Sequence, residues 1–296
     1  MKFENIRVYN FENALRGMRN PKESWGKSDS LYGLGTWDNA VEAAVEILDK
    51  YNYNKDFGYS TINSRQLEDF MYDVVIYTSN DYCEYAAIGP EDMRLAQNLI
   101  RAGSEHRKFM RQIFVSVDIT APLYFWKELD TYKVATVANS TSTMHTIQNK
   151  EIDFGLFELG DYHSELPLID DVNLGLRVDC FLNDLEQLRQ KYLMLMDKAK
   201  QTNSEEKAEA IRKEAKLYWK ELIRWLPEGW LQTRTWTGNY ENLLGICSKG
   251  QRRYHKLTEW SGEYPDEEEI KSFIEFARSL PYAKDFIFLD ELNKED

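Results

Sequence analysis

Residues 114–120, FVSVDIT, read as a strand; Ala121-Pro122 interrupts it, and LYFWKELDTYKVATVANSTSTMH at 123–145 reads as a helix running into a hydroxyl-rich loop. Strand, break and helix in that order set an α/β frame. Upstream, Pro90 and Glu91 open a helix through Leu95, Leu99 and Ile100 that stops at Gly103, a residue suited to the position after a helix end. Before it, FMYDVVIYT at 70–78 and YCEYAAI at 82–88 are strand-like runs joined by Ser79-Asn80-Asp81, which is hairpin turn chemistry. Asp38 is placed to cap a helix whose Val41, Ala44, Val45 and Leu48 recur at i, i+3, i+4 and i+7. The stretch Asn20–Thr36, with Pro21, Gly26, Gly33 and Gly35, reads as loop, and KFENIRVY at 2–9 as an opening strand before a helix over Asn10–Arg19. The GLG at 33–35 lacks a following G-x-x-G and is set aside as a nucleotide fingerprint.

Downstream, Asn183 is placed to cap Leu185, Leu188, Tyr192 and Leu195; after Gln201-Thr202-Asn203 a second helix carries Ala208, Ile211, Ala215, Tyr218, Trp219 and Leu222. The helical segment 183–225 is therefore expected to be a hairpin of two helices. Leu226-Pro227-Glu228-Gly229 ends it, and another helix is expected over about 239–249. Taken together, the chain reads as one α/β (α+β) domain over 1–296, with a central twisted antiparallel or mixed sheet and long flanking helices. The 70–88 hairpin is read as an insertion and the C-terminus as an acidic tail.

The 296 residues carry 43% hydrophobic and 29% charged side chains with 15 Gly and 7 Pro, a globular composition able to bury a sizeable core. A net charge of -13 argues against a duplex nucleic-acid partner. A small anion remains a possible ligand where positive charge is local, and it is: residues 212–260 hold ten Lys and Arg against five Asp and Glu, whereas 261–296 hold four against eleven. No apolar run approaches the roughly 18 residues of a membrane span, so a soluble, cytoplasmic protein without a membrane partner is expected. Cys83, Cys180 and Cys247 are too scattered for a disulfide framework or a C-x-x-C zinc site. His106, His145, His163 and His255 show no metal-ligand spacing.

Two features have chemistry in reach. Arg224, Arg234, Arg252 and Arg253 could surround a phosphate, each offering a bidentate fork, or could simply line a solvated basic helix face. NSTSTMH at 139–145 supplies four hydroxyls and an amide, a set suited to oxyanions or to a ligand-free Ser/Thr turn.

Read in order, several segments resemble the flavin-dependent thymidylate synthases, the thymidylate-synthase-complementing family. Ala14-Leu15-Arg16-Gly17-Met18-Arg19 resembles that family's early A-x-R-x-A-R helix. LIRAGSEHRKF, FVSVDIT and Ala121-Pro122 repeat its helix ending in Gly, His-Glu turn, strand and Ala-Pro. Leu226-Pro227, then Trp236-Thr237-Gly238-Asn239 and Leu243, resemble its late Leu-Pro and W-T-x-N-x-x-x-L. The resemblance covers about 150 residues in pieces. It departs from the family most at the signature R-H-R-x-x-S-x-N-E-x-S-x-R-Y: over Thr131–Met144 only Lys133, Thr136 and Thr141 keep the residue type.

The resemblance implies a thymidylate-synthase-complementing-like fold and FAD-assisted reductive methylation of dUMP to dTMP, with reduced nicotinamide and methylene folate as co-substrates. It implies Arg252 or Arg253 polarising the pyrimidine carbonyl, and His106, Lys133, Thr136, Asn139, Asn239 and His255 at the cofactor. Arg224, Thr141 and Ser142 fall to the pyrimidine nucleotide. Asn239 is equally suited to cap the helix it precedes, and His106 to lie solvated on its loop. The family's assembly implies a homo-oligomer, a tetramer. The alternatives are a non-catalytic nucleotide-binding or regulatory oligomer that kept the fold but lost the flavin signature, and a scaffold without a ligand.

Overall fold

A computed structural model describes residues 1–52, 62–79, 82–248, 253–262 and 270–292. The first half runs β1 (Lys2–Tyr9), α1 (Phe11–Met18), β2 (Leu31–Gly35), α2 (Trp37–Asn52), α3 (Ser64–Val74), β3 (Val75–Ser79), β4 (Tyr82–Ala87), α4 (Pro90–Arg101) and β5 (Phe114–Pro122). Then come α5 (Leu123–Leu129), β6 (Val137–Ser140), α6 (Thr143–Thr146), α7 (Leu174–Lys200), α8 (Glu205–Arg224), β7 (Leu231–Asn239) and α9 (Tyr240–Cys247). Short helices α10 (Thr258–Ser261), α11 (Phe273–Arg278) and α12 (Ala283–Phe286) follow. The strands form a four-stranded sheet of order β1-β5-β7-β6 and a three-stranded sheet of order β2-β4-β3. This is the mixed α/β architecture that the sequence predicts. No helix among the described residues is long and apolar enough to cross a membrane.

The chain divides into two compact units. The smaller holds Met1, Ile119–Thr131 and Asn139–Arg234; the larger holds Lys2–Asp118, Tyr132–Ala138 and Thr235–Asp296. In the smaller unit, the antiparallel helices α7 and α8 bury Leu182, Leu185 and Leu222 with Ile147, Ile152, Phe157 and Trp230. The buried Glu186 carboxylate accepts from Arg189 and from the Ile152 backbone N–H, so its charge is matched where water is excluded. In the larger unit, β2 lies antiparallel to β4, with Leu31 opposite Ala87, and β3 completes the hairpin with Ser79 opposite Tyr82. That sheet packs on α2 and α3 through Ala40, Ala44, Ile47, Met71, Val74 and Cys83. An aromatic cluster of Phe11, Phe109, Tyr240, Tyr282 and Phe286 fills the rest of this core.

Five local expectations are corrected. Leu31–Gly35 is a strand, not loop, because its pairing with β4 supplies the backbone partners that a Gly-rich stretch does not advertise. Phe70–Val74 belongs to α3: a capping box of Asn63 and Gln66 starts the helix, and Leu67, Phe70, Met71 and Val74 then share one face. Asp38 lies inside the first turn of α2, where Asn39 instead accepts from the Thr36 N–H and hydroxyl. Asn183 is internal to α7, which begins nine residues earlier at Leu174 after Asn173. The helix after Pro122 ends at Leu129, and the hydroxyl-rich run begins as the strand β6. The 80–81 turn of the hairpin lies outside the described residues. By contrast Gly103 ends α4 at φ 102, Asn239 caps α9, and α7 and α8 form the helical hairpin.

The C-terminal segment is tied to α3 through a buried acid. The Tyr282 N–H donates to Asp73 Oδ1 at 2.5 Å, while the Tyr282 hydroxyl donates to the Ala86 carbonyl and accepts from the Ile88 N–H. Burial, and less strongly the neighbouring Asp285 charge, push the Asp73 carboxyl from 3.8 up to about 6. Between those values the folded chain keeps a proton that the unfolded chain has lost. Stability therefore falls as pH rises through that window, by on the order of 2–3 kcal/mol from this group. Asp73→Asn, which keeps the oxygen acceptor without the charge, is expected to raise stability at pH 7.5 and to flatten the pH 4–6.5 slope in denaturant titrations. An unchanged slope would remove Asp73 as its source.

Candidate functional site

A buried polar construction in the larger unit surrounds Asp92 at the start of α4. The carboxylate is fully buried; Oδ1 accepts from Arg19 Nε at 2.6 Å, and Oδ2 accepts from the Ser28 and Ser30 hydroxyls at 2.6 and 2.7 Å. Asp29 in turn accepts the N–H groups of Glu91 and Asp92 and so caps the helix, the favourable place for an acid. Gly89 donates its N–H to Ser30 Oγ at 2.9 Å. A Cβ at Gly89 would stand 2.5 Å from the Asp29 carbonyl oxygen, so only glycine lets the two segments approach.

This lock fixes the wall of a cleft of about 1030 Å³ between the end of α1, the first turns of α4 and the turn after Gly103. Lys22, Lys27, Arg94, His106 and Lys108 line it with the acids Glu23, Glu91 and Glu105, and Met18, Leu95, Leu99 and Phe109 give it an apolar wall. Arg94 pairs with Glu91, and Lys108 stands 3.6 Å from Glu105. Lys22 and Lys27 form no ion pair among the described residues. The cleft joins two segments that carry the family resemblance, the one ending in Arg19 and the Glu105-His106 turn. Sequence reading missed the lock itself. Its signal was Ser28-Asp29-Ser30 together with Gly89-Pro90, polar and backbone-special residues sixty positions apart.

The other sequence-nominated residues fall into separate settings. In the larger unit, Lys133 is exposed and the Thr136 hydroxyl donates to the Tyr132 carbonyl at 2.9 Å. Asn242 Nδ2 donates to the Val134 carbonyl at 2.8 Å, which ties this turn to the start of α9. There Asn239 is buried and accepts from the Asn242 N–H, while Arg107 pairs with Glu241 at 2.8 Å. His255 accepts the Leu257 N–H at Nδ1 and lies 6.2 Å from the Trp260 ring. In the smaller unit, Asn139 is exposed on β6, the Thr141 N–H and hydroxyl both donate to the Thr233 carbonyl, and Ser142 starts α6 without a side-chain capping bond.

The arginines acquire carboxylate partners instead of forming a phosphate cluster. Arg224 pairs with Glu221 at the end of α8, and Arg234 spans both Asp130 oxygens at 3.1 Å while stacking 4.4 Å over Trp126. Arg253 is buried, donating to the Cys247 carbonyl, to both Asp290 oxygens and to Glu291. Arg252 lies outside the described residues. A buried guanidinium needs matched partners, and Arg253 has them from the chain itself.

No family model matches the sequence, and no curated protein does. Among solved structures, the chain is similar to flavin-dependent thymidylate synthase from Helicobacter pylori complexed with FAD and dUMP. That likeness has 11% identity and a TM-score of 0.43, over 98% of this chain and 99% of that one. A second structure of thymidylate synthase X from the same organism, with FAD and dUMP, is similar at 12% identity and TM-score 0.42, over 97% and 98%.

The lock around Asp92 yields a direct test. Gly89→Ala is expected to cost about 1–3 kcal/mol through the collision with Asp29. Asp92→Ala, which strands the buried Arg19 charge, should cost more, about 3–5 kcal/mol. Thermal and denaturant unfolding of both variants measure this; equal or negligible losses would contradict the geometry.

Proposed function

We propose that this chain is a divergent flavin-dependent thymidylate synthase that binds FAD and a pyrimidine nucleotide and methylates dUMP to dTMP, using reduced nicotinamide and methylene folate. One observation carries the reading. Gly17–Arg19, the end of one segment that resembles the family in sequence, and Glu105-His106 of another line one cleft, and that cleft gathers Lys22, Lys27, Arg94 and Lys108 against Glu23, Glu91 and Glu105 in a chain of net charge -13. The donor set fits a flavin nucleotide: Lys22, Lys27 and His106 face the space a diphosphate needs, and Leu95, Leu99 and Phe109 offer an apolar wall to a planar ring. FAD, when bound, supplies hydride chemistry. The chain's own residues neutralise phosphate charge, exclude water from the apolar wall and hold it in place through the Arg19–Asp92 lock.

In this reading Lys133 and Thr136, on the turn before β6, and Asn239, the cap of α9, serve the cofactor, and Arg252 is the cation that polarises the pyrimidine. Arg253, saturated by Asp290 and Glu291, has no N–H groups to spare for that role. Asn139, His255, Thr141 and Ser142 keep the roles the resemblance implies, whereas Arg224, paired with Glu221, does not. The proposed setting is a cytoplasmic homotetramer.

A second reading, a nucleotide-binding protein without flavin chemistry, is favoured by the Thr131–Met144 stretch, where Lys133 is the one Lys or Arg. Absorbance spectra of the protein with and without FAD, followed by dUMP titration, separate the two. Flavin bands perturbed by dUMP support the synthase; dUMP binding without flavin uptake supports the second reading; binding of neither overturns both. Lys22→Glu with Lys27→Glu is expected to weaken FAD or nucleotide binding by at least tenfold, since a charge-assisted contact is worth about 1.5–3 kcal/mol. An unchanged affinity would move the site away from this cleft.

A further inference from the structure

A second cavity, of about 420 Å³, lies among α2, α3, α4 and the C-terminal segment of the larger unit. Its volume is that of a small-molecule site. Leu48, Phe70 and Met93 make the wall apolar, and its rings are ordered: Phe70 meets Tyr51 edge-on at 6.1 Å and Tyr282 at 6.5 Å. The chemistry proposed for the cleft makes no use of this space.

Two carboxylates line it from elements far apart in the chain, Asp73 on α3 and Asp285 on α12. Asp73 Oδ1 accepts the Tyr282 N–H, and Asp285 Oδ1 accepts from Gln97 Nε2 at 3.1 Å. Among the described residues neither acid forms an ion pair, and the second oxygen of each takes no hydrogen bond. The cations nearby do not answer them: Arg94 lines the cavity but pairs with Glu91, and Lys284 is exposed and acts on both acids only at a distance. The Tyr51 hydroxyl is taken by the Ile88 carbonyl at 3.2 Å. Burial accordingly pushes both carboxyls upward, Asp73 to about 6. Two half-satisfied acids in an apolar wall are a cost that a cation would offset.

We infer that this cavity is a binding site for a protonated amine that carries an apolar body. An ammonium group supplies the donors that the free oxygens of Asp73 and Asp285 lack, aromatic rings favour a cation beside them, and Leu48, Phe70 and Met93 receive the body. A bare metal ion matches less well. Two carboxylates and one amide fall short of the about six to eight oxygens that calcium takes, and no group of three metal-ligating side chains occurs among the described residues. A neutral ligand would leave the acids unanswered, and an anion would be repelled. The site does not depend on the nucleotide reading and would hold in a chain that binds no flavin.

Titration calorimetry of the full chain with phenethylamine, and with 2-phenylethanol as its uncharged counterpart, tests the site. At pH 7.5 the amine is expected to bind about tenfold or more tighter than the alcohol. Its affinity should fall as pH drops through about 6, where the acids gain protons while the alkylammonium keeps its own. Near pH 6 binding should release protons, read as heats that differ between buffers of unlike ionisation enthalpy. Asp73→Asn and Asp285→Asn keep the oxygens that Tyr282 and Gln97 use, so both are expected to fold. Each should weaken the amine about tenfold and leave the alcohol unchanged. No amine binding up to about 10 mM, equal affinity for amine and alcohol, or wild-type amine affinity in both variants would each overturn the inference; the last would mean that the amine binds elsewhere.

Discussion

A single buried carboxylate organises the part of the molecule where function is proposed. Asp92 has no access to water, and Arg19, two hydroxyls and a backbone N–H converge on its two oxygens. Removing an ion from water is costly, so such a site holds only if every partner arrives in register. That requirement places the end of α1 and the 28–30 turn against the start of α4. Asp29 strengthens the arrangement by capping the same helix, and Gly89 permits it by carrying no side chain. The cleft follows as a consequence: its wall is the far side of this lock.

Local periodicity and capping chemistry were legible in the sequence where they act alone. The strand at β5, the helix stopped by Gly103, the hairpin of α7 and α8, and the Asn239 cap all depend on neighbours within a few residues. Reading failed where a distant partner decides. Gly-rich Leu31–Gly35 becomes a strand because β4 pairs with it, and Phe70–Val74 becomes helical because Asn63 and Gln66 nucleate a turn that β-branched content does not reveal. The site divides the same way. His106 and the Arg19 segment were nominated from sequence and do line one cleft, whereas Lys22 and Lys27, each at the end of a single 3-10 turn, carry no local signature.

The arginines show why residue type alone misleads. Grouped in sequence they suggest a phosphate site, since a guanidinium fork suits phosphate oxygens. The same fork suits carboxylates, and this chain offers 50 of them against 37 bases. Arg224, Arg234 and Arg253 each found an internal acid within reach. Burial then makes the choice permanent for Arg253: Asp290, Glu291 and the Cys247 carbonyl hold its N–H groups, and a ligand would have to replace all three where the guanidinium itself has no water.

Positive charge available to a ligand therefore has to come from residues without such a commitment, which in the larger unit's cleft means Lys22 and Lys27. The difference is physical. Arginine fixes an oxyanion by a planar pair of hydrogen bonds, whereas lysine offers a compact, strongly hydrated charge on a flexible stem. In the proposed reading, a site built from Lys22, Lys27 and His106 would attract phosphate without dictating its orientation, and orientation would come from the apolar wall of Met18, Leu95, Leu99 and Phe109. That wall is held by the Arg19–Asp92 lock. The buried pair thus governs not the attraction of an anionic ligand but the geometry in which the cleft can receive it.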